Sequence, residues 1–395
     1  MRVLFLSQRV PYPPNRGDKI TTWRLIERLG RSGHEVRIVA FAHDDEDRRA
    51  AEELGRLGFP TRTVALDLRK AKLAALPLLA GSKPLTLGVY GSKELQRIVD
   101  ELAPSCDVGY AYSSSMGAFL APHTKLRRVM HFAELDSDKW RQYAERTRWP
   151  MSWVYGREHR TLREFERRIA HAFDENVLCT PLEQQVFERE IPGARSLVMR
   201  NGVDLSFYRP NPARAEAGHL VFVGVMDYLP NVDGCAWFVR EILPRVRERF
   251  PGVQLSIVGS RPSPEVLALA REPGVTVTGF VDDPREWLER ASVSVAPLRI
   301  ARGIQNKVLE ALAMGLPVVG TTSATQGVEG EAGLDFLLAN TVAEQVEAVV
   351  SLLENPARAK ELGARGRAFV ESRYDWDVAL RPLDELMARF SAAKR

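Results

Sequence analysis

The chain of 395 residues is poor in the features that staple or anchor a protein. It has three cysteines, Cys106, Cys179 and Cys235, far apart and set among apolar neighbours. An odd, scattered set argues against a disulfide framework and leads us to expect buried, reduced thiols in a cytoplasmic protein. No apolar run approaches the roughly 18 residues of a transmembrane helix. The opening MRVLFLSQRVPYPP has only a four-residue apolar core before Ser7, far short of an export signal, and reads as a strand. The G-x-G-x-x-G dinucleotide loop is missing, since the place where the second half of the chain would carry it reads GVMDY. No histidine cluster stands out at metal-ligand spacing, so we expect no required metal and no other cofactor. A net charge of +4 is too modest to suggest nucleic acid as a partner.

What is present suits two α/β cores. The length is right for two domains of near 200 residues, and 45% hydrophobic with 27% charged residues describes a globular chain. The stretch around which the rest is organised is RIARGIQNKVLEALAMGLPVVGT, 299–321. Apolar residues 293–298 read as a buried strand, Gly303 opens a loop, and Asn306 is the expected N-cap of a short helix stopped by Gly315 and Pro317. Pro317 to Thr321 is the next strand. Loop and helix start therefore lie at the carboxyl edge of a parallel sheet, where such folds bind ligands. Glu310, placed by this reading in the first helical turn, can accept two hydrogen bonds from a vicinal diol such as a ribose. Lys307, Arg299 and Arg302, with the free N–H groups of the helix start, suit a diphosphate. The plainer alternative is a solvated helix and a basic surface loop.

Ahead of this stretch, Val3–Leu6, a proline-rich loop, a helix from Asp18 as N-cap to Leu29, and Glu35–Phe41 form a βαβ unit. Gly17 lies in that loop beside Arg9, Arg16 and Lys19. Further strands are expected at 63–68, 106–112, 127–132, 176–179 and 196–200, with a helix over 92–102. His131, Glu134, Asp136 and Asp138 follow one strand's carboxyl end, where a group assisting a hydroxyl would be placed; a core histidine and a helix-capping aspartate are the alternatives. The helical region 139–168, broken at Pro150, carries nine Lys or Arg against four Glu, interleaved with Trp140, Tyr143, Trp149, Trp153 and Tyr155. That mixture suits an anionic membrane surface or an anionic lipid-linked acceptor.

KVLEALAMGLPVVGT resembles the nucleotide-sugar motif of the family 4 glycosyltransferases, retaining enzymes of the GT-B fold. Glu310 matches the second glutamate of the family's pair, which contacts the donor ribose. The first would fall at Arg302, a departure that removes the usual contact to the donor sugar. The family's arginine and lysine for the diphosphate are replaced near Val225 and by Asn231, which throws that role onto Arg299 and Lys307. Gly17 resembles the family's glycine loop, Asp136 and His131 are the first-domain candidates to face the donor sugar, and Gly279–Val281 would frame the base. NGVD at 201–204 resembles the junction between domains, and RGIQNKVLEA resembles sugar transferases of bacterial exopolysaccharide systems.

The resemblance implies two facing doubly wound, Rossmann-like domains, 1–200 for the acceptor and 219–374 for the nucleotide sugar. A linker over 201–218 would join them, and a helix over 375–395 would pack back on the first. It implies glycosyl transfer from a nucleotide diphosphate sugar to a glycan or lipid-linked hydroxyl, with Lys307, Arg299, Asp136 and His131 near the chemistry. Glu310, Gly17, Arg302, Gly303, Asn306 and Asn231 would bind substrate. The expected location is cytoplasmic, docked on the inner membrane face through 139–168. A nucleotide-sugar epimerase and a catalytically silent nucleotide-sugar-binding partner are the other readings.

Overall fold

The computed structural model describes residues 1–301 and 303–392. These divide into two compact domains, one of Met1–Arg200 joined by the chain from Leu380 on, the other of Asn201–Ala379.

In the first domain seven strands form one parallel sheet: β1 Arg2–Ser7, β2 Glu35–Ala42, β3 Thr61–Ala65, β4 Val108–Tyr112, β5 Arg127–Ala133, β6 Glu175–Leu178 and β7 Ser196–Val198. Their order is β3-β2-β1-β4-β5-β6-β7, with Arg2 opposite Glu35 and Val3 opposite Val108. Helices cover both faces of such a sheet, so its strands read as continuous apolar runs; Val3 through Leu6 are fully buried. The order reverses between β1 and β4, and there Gln8 donates from Nε2 to Ser115 Oγ at 2.8 Å. Helix α1, Gly17–Arg31, is capped by Arg16, whose carbonyl accepts from the Ile20 N–H, so Asp18 sits in the first turn instead of at the cap. The helix Arg381–Ala392 closes this domain: Arg28 of α1 grips Asp384 at 2.7 Å and Arg389 reaches Glu175 of β6 at 2.6 Å.

Between β3 and β4 lies helix α2, Leu68–Ala75, followed by a 3-10 turn over Leu76–Ala80. Strand β3 thus ends three residues before the expected 68, because Asp67 caps α2 through the N–H groups of Arg69 and Lys70. After β5 come α3, Asp136–Arg146, and α4, Met151–Ala172. Among the described residues no helix is long and apolar enough to cross a membrane.

The second domain repeats the plan with β8 His219–Val223, β9 Gln254–Val258, β10 Val275–Gly279, β11 Val293–Ala296, β12 Val318–Gly320 and β13 Leu337–Leu338. Its parallel order is β10-β9-β8-β11-β12-β13, reversing between β8 and β11. The loop after β8 leads into α5, Leu229–Trp237, and the loop after β11 into α6, Asn306–Ala313. Pro230 fits the first turn of α5, where its missing N–H is no loss. Helix α6 ends as the sequence implies. Gly315 takes a φ of 69°, and its N–H and that of Leu316 bond back to the carbonyls of Leu312 and Ala311.

Candidate functional site

The reversal between β8 and β11 opens a crevice at the carboxyl edge of the second sheet, the place where doubly wound folds hold ligands. Two side chains meet in it from the helices that leave those strands. Lys307, in the first turn of α6, donates from Nζ to Asn231 Oδ1 on α5, and the ammonium stands 4.4 Å from the Phe222 ring centroid. Asn231 is buried, and its Nδ2 donates to the Val225 carbonyl at 2.9 Å, so both ends of its amide are used. It therefore holds Lys307 in place. Gly224 makes the approach possible: a Cβ there would lie 2.7 Å from Asn231 Nδ2 and 3.0 Å from Lys307 Nζ. Burial lowers the Lys307 ammonium to about 8, against the pull of Cys235 and Glu310.

One turn further, Glu310 is the fifth residue of α6, so it lies in the second turn and not the first. Burial raises its carboxyl, while a hydrogen bond from Tyr208 and the charge of Lys307 oppose the rise. Burial beside that carboxyl drives the Tyr208 hydroxyl far above its ordinary range, so it remains a donor. Arg367 donates to the Tyr208 carbonyl at 2.5 Å and fixes that segment. Sequence reasoning found Glu310 and Lys307 but missed Tyr208 and Phe222; the only signal for Tyr208 was its place just after the NGVD segment.

Other expected donor-site residues behave differently. Asn306 is the first residue within α6; Gln305, in extended conformation, is the cap, its carbonyl accepting from Val308 N–H. The Asn306 Oδ1 is buried and has no hydrogen-bond partner among the described residues. Gly303 has a φ of 61°, and its carbonyl would be 2.1 Å from a Cβ on Gly327, so that loop is fixed by close backbone contact. Arg302 lies outside the described residues. Arg299 is not beside Lys307. Its guanidinium pairs with Asp233 at 2.5 Å and lies over Trp237, and Asp233 is about 200° around α5 from Asn231. A pocket of about 210 Å³ lined by Asp233, Trp237, Arg240 and Arg299 belongs to this other face.

In the first domain, Asp136 opens α3 at the sheet's carboxyl edge, partly exposed, and accepts from Ser114 Oγ at 3.0 Å. Ser113 and Ala133, beside it on the same edge, hold φ of 79° and 62°, unusual for residues with a Cβ. His131 is corrected to a core residue. It exposes 1% of its surface, its Nδ1 is 2.7 Å from the Tyr110 hydroxyl, and burial pushes it down to about 3, so it is neutral and out of a substrate's reach. Gly17 starts α1, and the basic groups around it are neutralised within the domain. Arg9 and Arg16 pair with Asp18 at 3.4 and 2.6 Å, and buried Lys19 with Asp47 at 2.8 Å. Glu166, which sequence reasoning did not single out, is wholly buried on α4, accepts from Ser137 N–H at 3.2 Å, and is driven up to about 8 by burial and by Asp136.

Comparison with known proteins places this geometry. Residues 217–355, which hold the Lys307 and Glu310 crevice, match the family model described as glycosyl transferases group 1. A glycogen synthase of Mycobacterium tuberculosis is 29% identical over 261 residues, 62% of this chain and 60% of that protein, so the chain spans about three fifths of that relative. Sucrose-phosphate synthase from Thermosynechococcus elongatus superimposes over 99% of both chains with a TM-score of 0.73 at 18% identity. HepE of Anabaena, solved in complex with UDP, superimposes over 98% of this chain and all of its own with a TM-score of 0.71 at 15% identity. Two doubly wound parallel sheets and these likenesses show the GT-B fold, and over residues 217–355 the chain is similar to the glycosyl transferases group 1.

Proposed function

We propose that this protein transfers a sugar, with retention of configuration, from a nucleoside diphosphate sugar to a hydroxyl of a glycan or lipid-linked acceptor in cell-surface polysaccharide synthesis. The observation that carries the reading is the half-buried Lys307 ammonium held by Asn231 one turn from the Tyr208-bonded Glu310, at the switch point of the second sheet. A ribose set on Glu310 puts its diphosphate toward the α6 N-terminus and Lys307. As the bond to the sugar breaks, negative charge grows on the diphosphate, and a preorganised cation in a water-poor site stabilises it. Asn306, whose amide oxygen has no partner among the described residues, is a further group for the donor. Asp136 is the accessible carboxylate in the first domain for the acceptor hydroxyl. The UDP complex of HepE makes uridine diphosphate sugars the first donors to try.

The test is a thermal-shift screen of UDP, GDP and their sugars, where a ligand at 100 times its dissociation constant adds about 2.7 kcal/mol. Loss of a charge-assisted contact predicts that Glu310→Ala weakens the best ligand roughly ten- to hundredfold while the protein stays folded. Unchanged affinity in that variant refutes the ribose assignment. Binding with no transfer to any acceptor favours the silent-partner reading, and conversion of the nucleotide sugar without an acceptor favours the epimerase.

A further inference from the structure

Five of the large exposed apolar side chains of the first domain fall in two short segments. Leu73 and Leu76 are 67% and 50% exposed, Trp149 and Trp153 are 81% and 51%, and Met151 lies between the tryptophans. The first pair belongs to α2 and the turn after it. Only Ala75 of α2 is buried, so this helix shows solvent most of the apolar surface a helix normally packs away. The second group forms the bend between α3 and α4.

Buried groups tie the two segments together. Arg157 of α4 donates to the carbonyls of Leu78, Leu79, Gly81 and Lys83, the Leu79, Gly81 and Lys83 bonds measuring 3.1, 2.5 and 3.0 Å. Beside it, buried Glu158 accepts from the N–H groups of Leu85 and Thr86 at 2.7 and 2.9 Å. Trp153 is one helical turn, about 6 Å, from this clamp. The charge on both segments has one sign. Residues 68–83 contain Arg69, Lys70, Lys72 and Lys83, residues 146–153 contain Arg146 and Arg148, and neither stretch has an acidic residue. Asp67 is the carboxylate beside this set, 3.9 Å from Lys70 and held low by its backbone hydrogen bonds as well as by the charges of Lys70 and Arg69.

This geometry corrects the broad basic belt expected over 139–168. Arg157 is buried and structural, Arg163 is paired with Glu190 at 2.6 Å, and Trp140, Tyr143 and Tyr155 pack on one another with centroids 5.4–5.9 Å apart. Arg157 is thus withdrawn from the surface, and the others have partners within the domain.

We propose that α2 with its following turn and the α3–α4 bend form one docking face for an anionic lipid bilayer. The tryptophans and leucines enter the headgroup layer while the lysines and arginines meet its phosphates. Aromatic rings suit that depth, and cations beside them suit a negative leaflet. A second copy of the chain would set these cations against its own like charges, which is why lipid is favoured over it.

Flotation of the full chain with vesicles of about one-third phosphatidylglycerol in phosphatidylcholine, beside pure phosphatidylcholine, reads this directly and needs no transfer assay. It is therefore independent of the function proposed above. Binding is expected only with the anionic vesicles, and should fade between 0.1 and 1 M salt as the Debye length shrinks from about 10 to 3 Å. Lys70→Gln/Lys72→Gln should lower partition roughly 25-fold, about fivefold per lysine. Trp149→Ser/Trp153→Ser should lower it tenfold or more, on the order expected for losing two half-inserted rings. Arg167→Gln/Arg168→Gln, exposed on α4 but about 20 Å along the helix from Trp153, should bind like the parent. The proposal is overturned if the parent does not float. Equal flotation of the tryptophan variant, or a larger loss in the control than in the lysine variant, also overturns it. So does lipid-independent self-association that the tryptophan variant abolishes.

Discussion

If Lys307 meets the donor diphosphate, nucleotide affinity must carry a proton linkage at an unusually low pH for a lysine. In the free protein burial holds the ammonium at about 8. A bound diphosphate supplies the missing counter-charge. Two unit charges 4 Å apart at an effective dielectric of 20 attract by about 4 kcal/mol, enough to restore the ordinary value near 10.5, a shift worth roughly 3.4 kcal/mol. Affinity for UDP should then be flat between about pH 7 and 8 and fall about tenfold per pH unit above it, toward pH 10. The ligand does not titrate there, because a phosphate's second ionisation lies near 6. Neighbouring Cys235, pushed up by burial to about 12, and Tyr208, held far above its ordinary range, do not titrate there either. Lys307→Met should bind roughly a hundredfold more weakly at pH 7 and show no slope, so that the two curves converge at alkaline pH. Calorimetry at pH 7 and pH 9, in buffers of different ionisation enthalpy, counts the proton: close to zero taken up at pH 7 and close to one at pH 9. A pH-independent affinity in the parent, or the same slope in the methionine variant, refutes the placement of Lys307 on the diphosphate.

Gly259 crosses the carbonyl of Gly224 so closely that a Cβ would lie 1.6 Å from that oxygen, at a φ of 149°. Gly259→Ala should destabilise the second domain by about 2–4 kcal/mol and push apart the loop beside Lys307; a melting temperature and UDP affinity equal to the parent's would refute this close packing. Glu166 has its folded value raised by burial from 4.5 to about 8. The native state thus keeps a proton that the unfolded chain loses between those values, and stability falls as pH rises through that window. Glu166→Gln should therefore be more stable than the parent by on the order of 2–4 kcal/mol at pH 8 and nearly equal at pH 4.5. Equal differences at both pH values, in chemical denaturation, would sink the assignment.

The Lys307 and Glu310 pair was legible because a charged residue inside an apolar helix, after a glycine loop and before a buried strand, has few places to go. The expected cap at Asn306 and the first-turn place of Glu310 were both wrong, for one reason. Capping depends on the φ and ψ of a single residue, which Gln305 supplies and no periodicity reports. The unassigned helix Asp45–Arg56 shows a different limit. Asp44 caps it by accepting from the Asp47 N–H, but it sits in so charged a stretch that its apolar positions stand out poorly.

Alternation of strands and helices by itself determined two doubly wound domains, because a parallel sheet must be apolar along its strands and each return must cross by a helix. Charge is where the sequence ran out. Nine basic residues over 139–168 looked alike in the string, yet only packing made Arg157 an internal clamp and left Arg146 and Arg148 outside. His131 and Asp136 stand five residues apart, and the sheet buries one and exposes the other. Arg299 and Lys307 flank one loop, but their partners Asp233 and Asn231 lie on opposite sides of α5. A side chain's charge is written in the sequence, whereas its desolvation and its nearest counter-charge come from residues far along the chain. Only the tertiary structure decides which cations remain free to act.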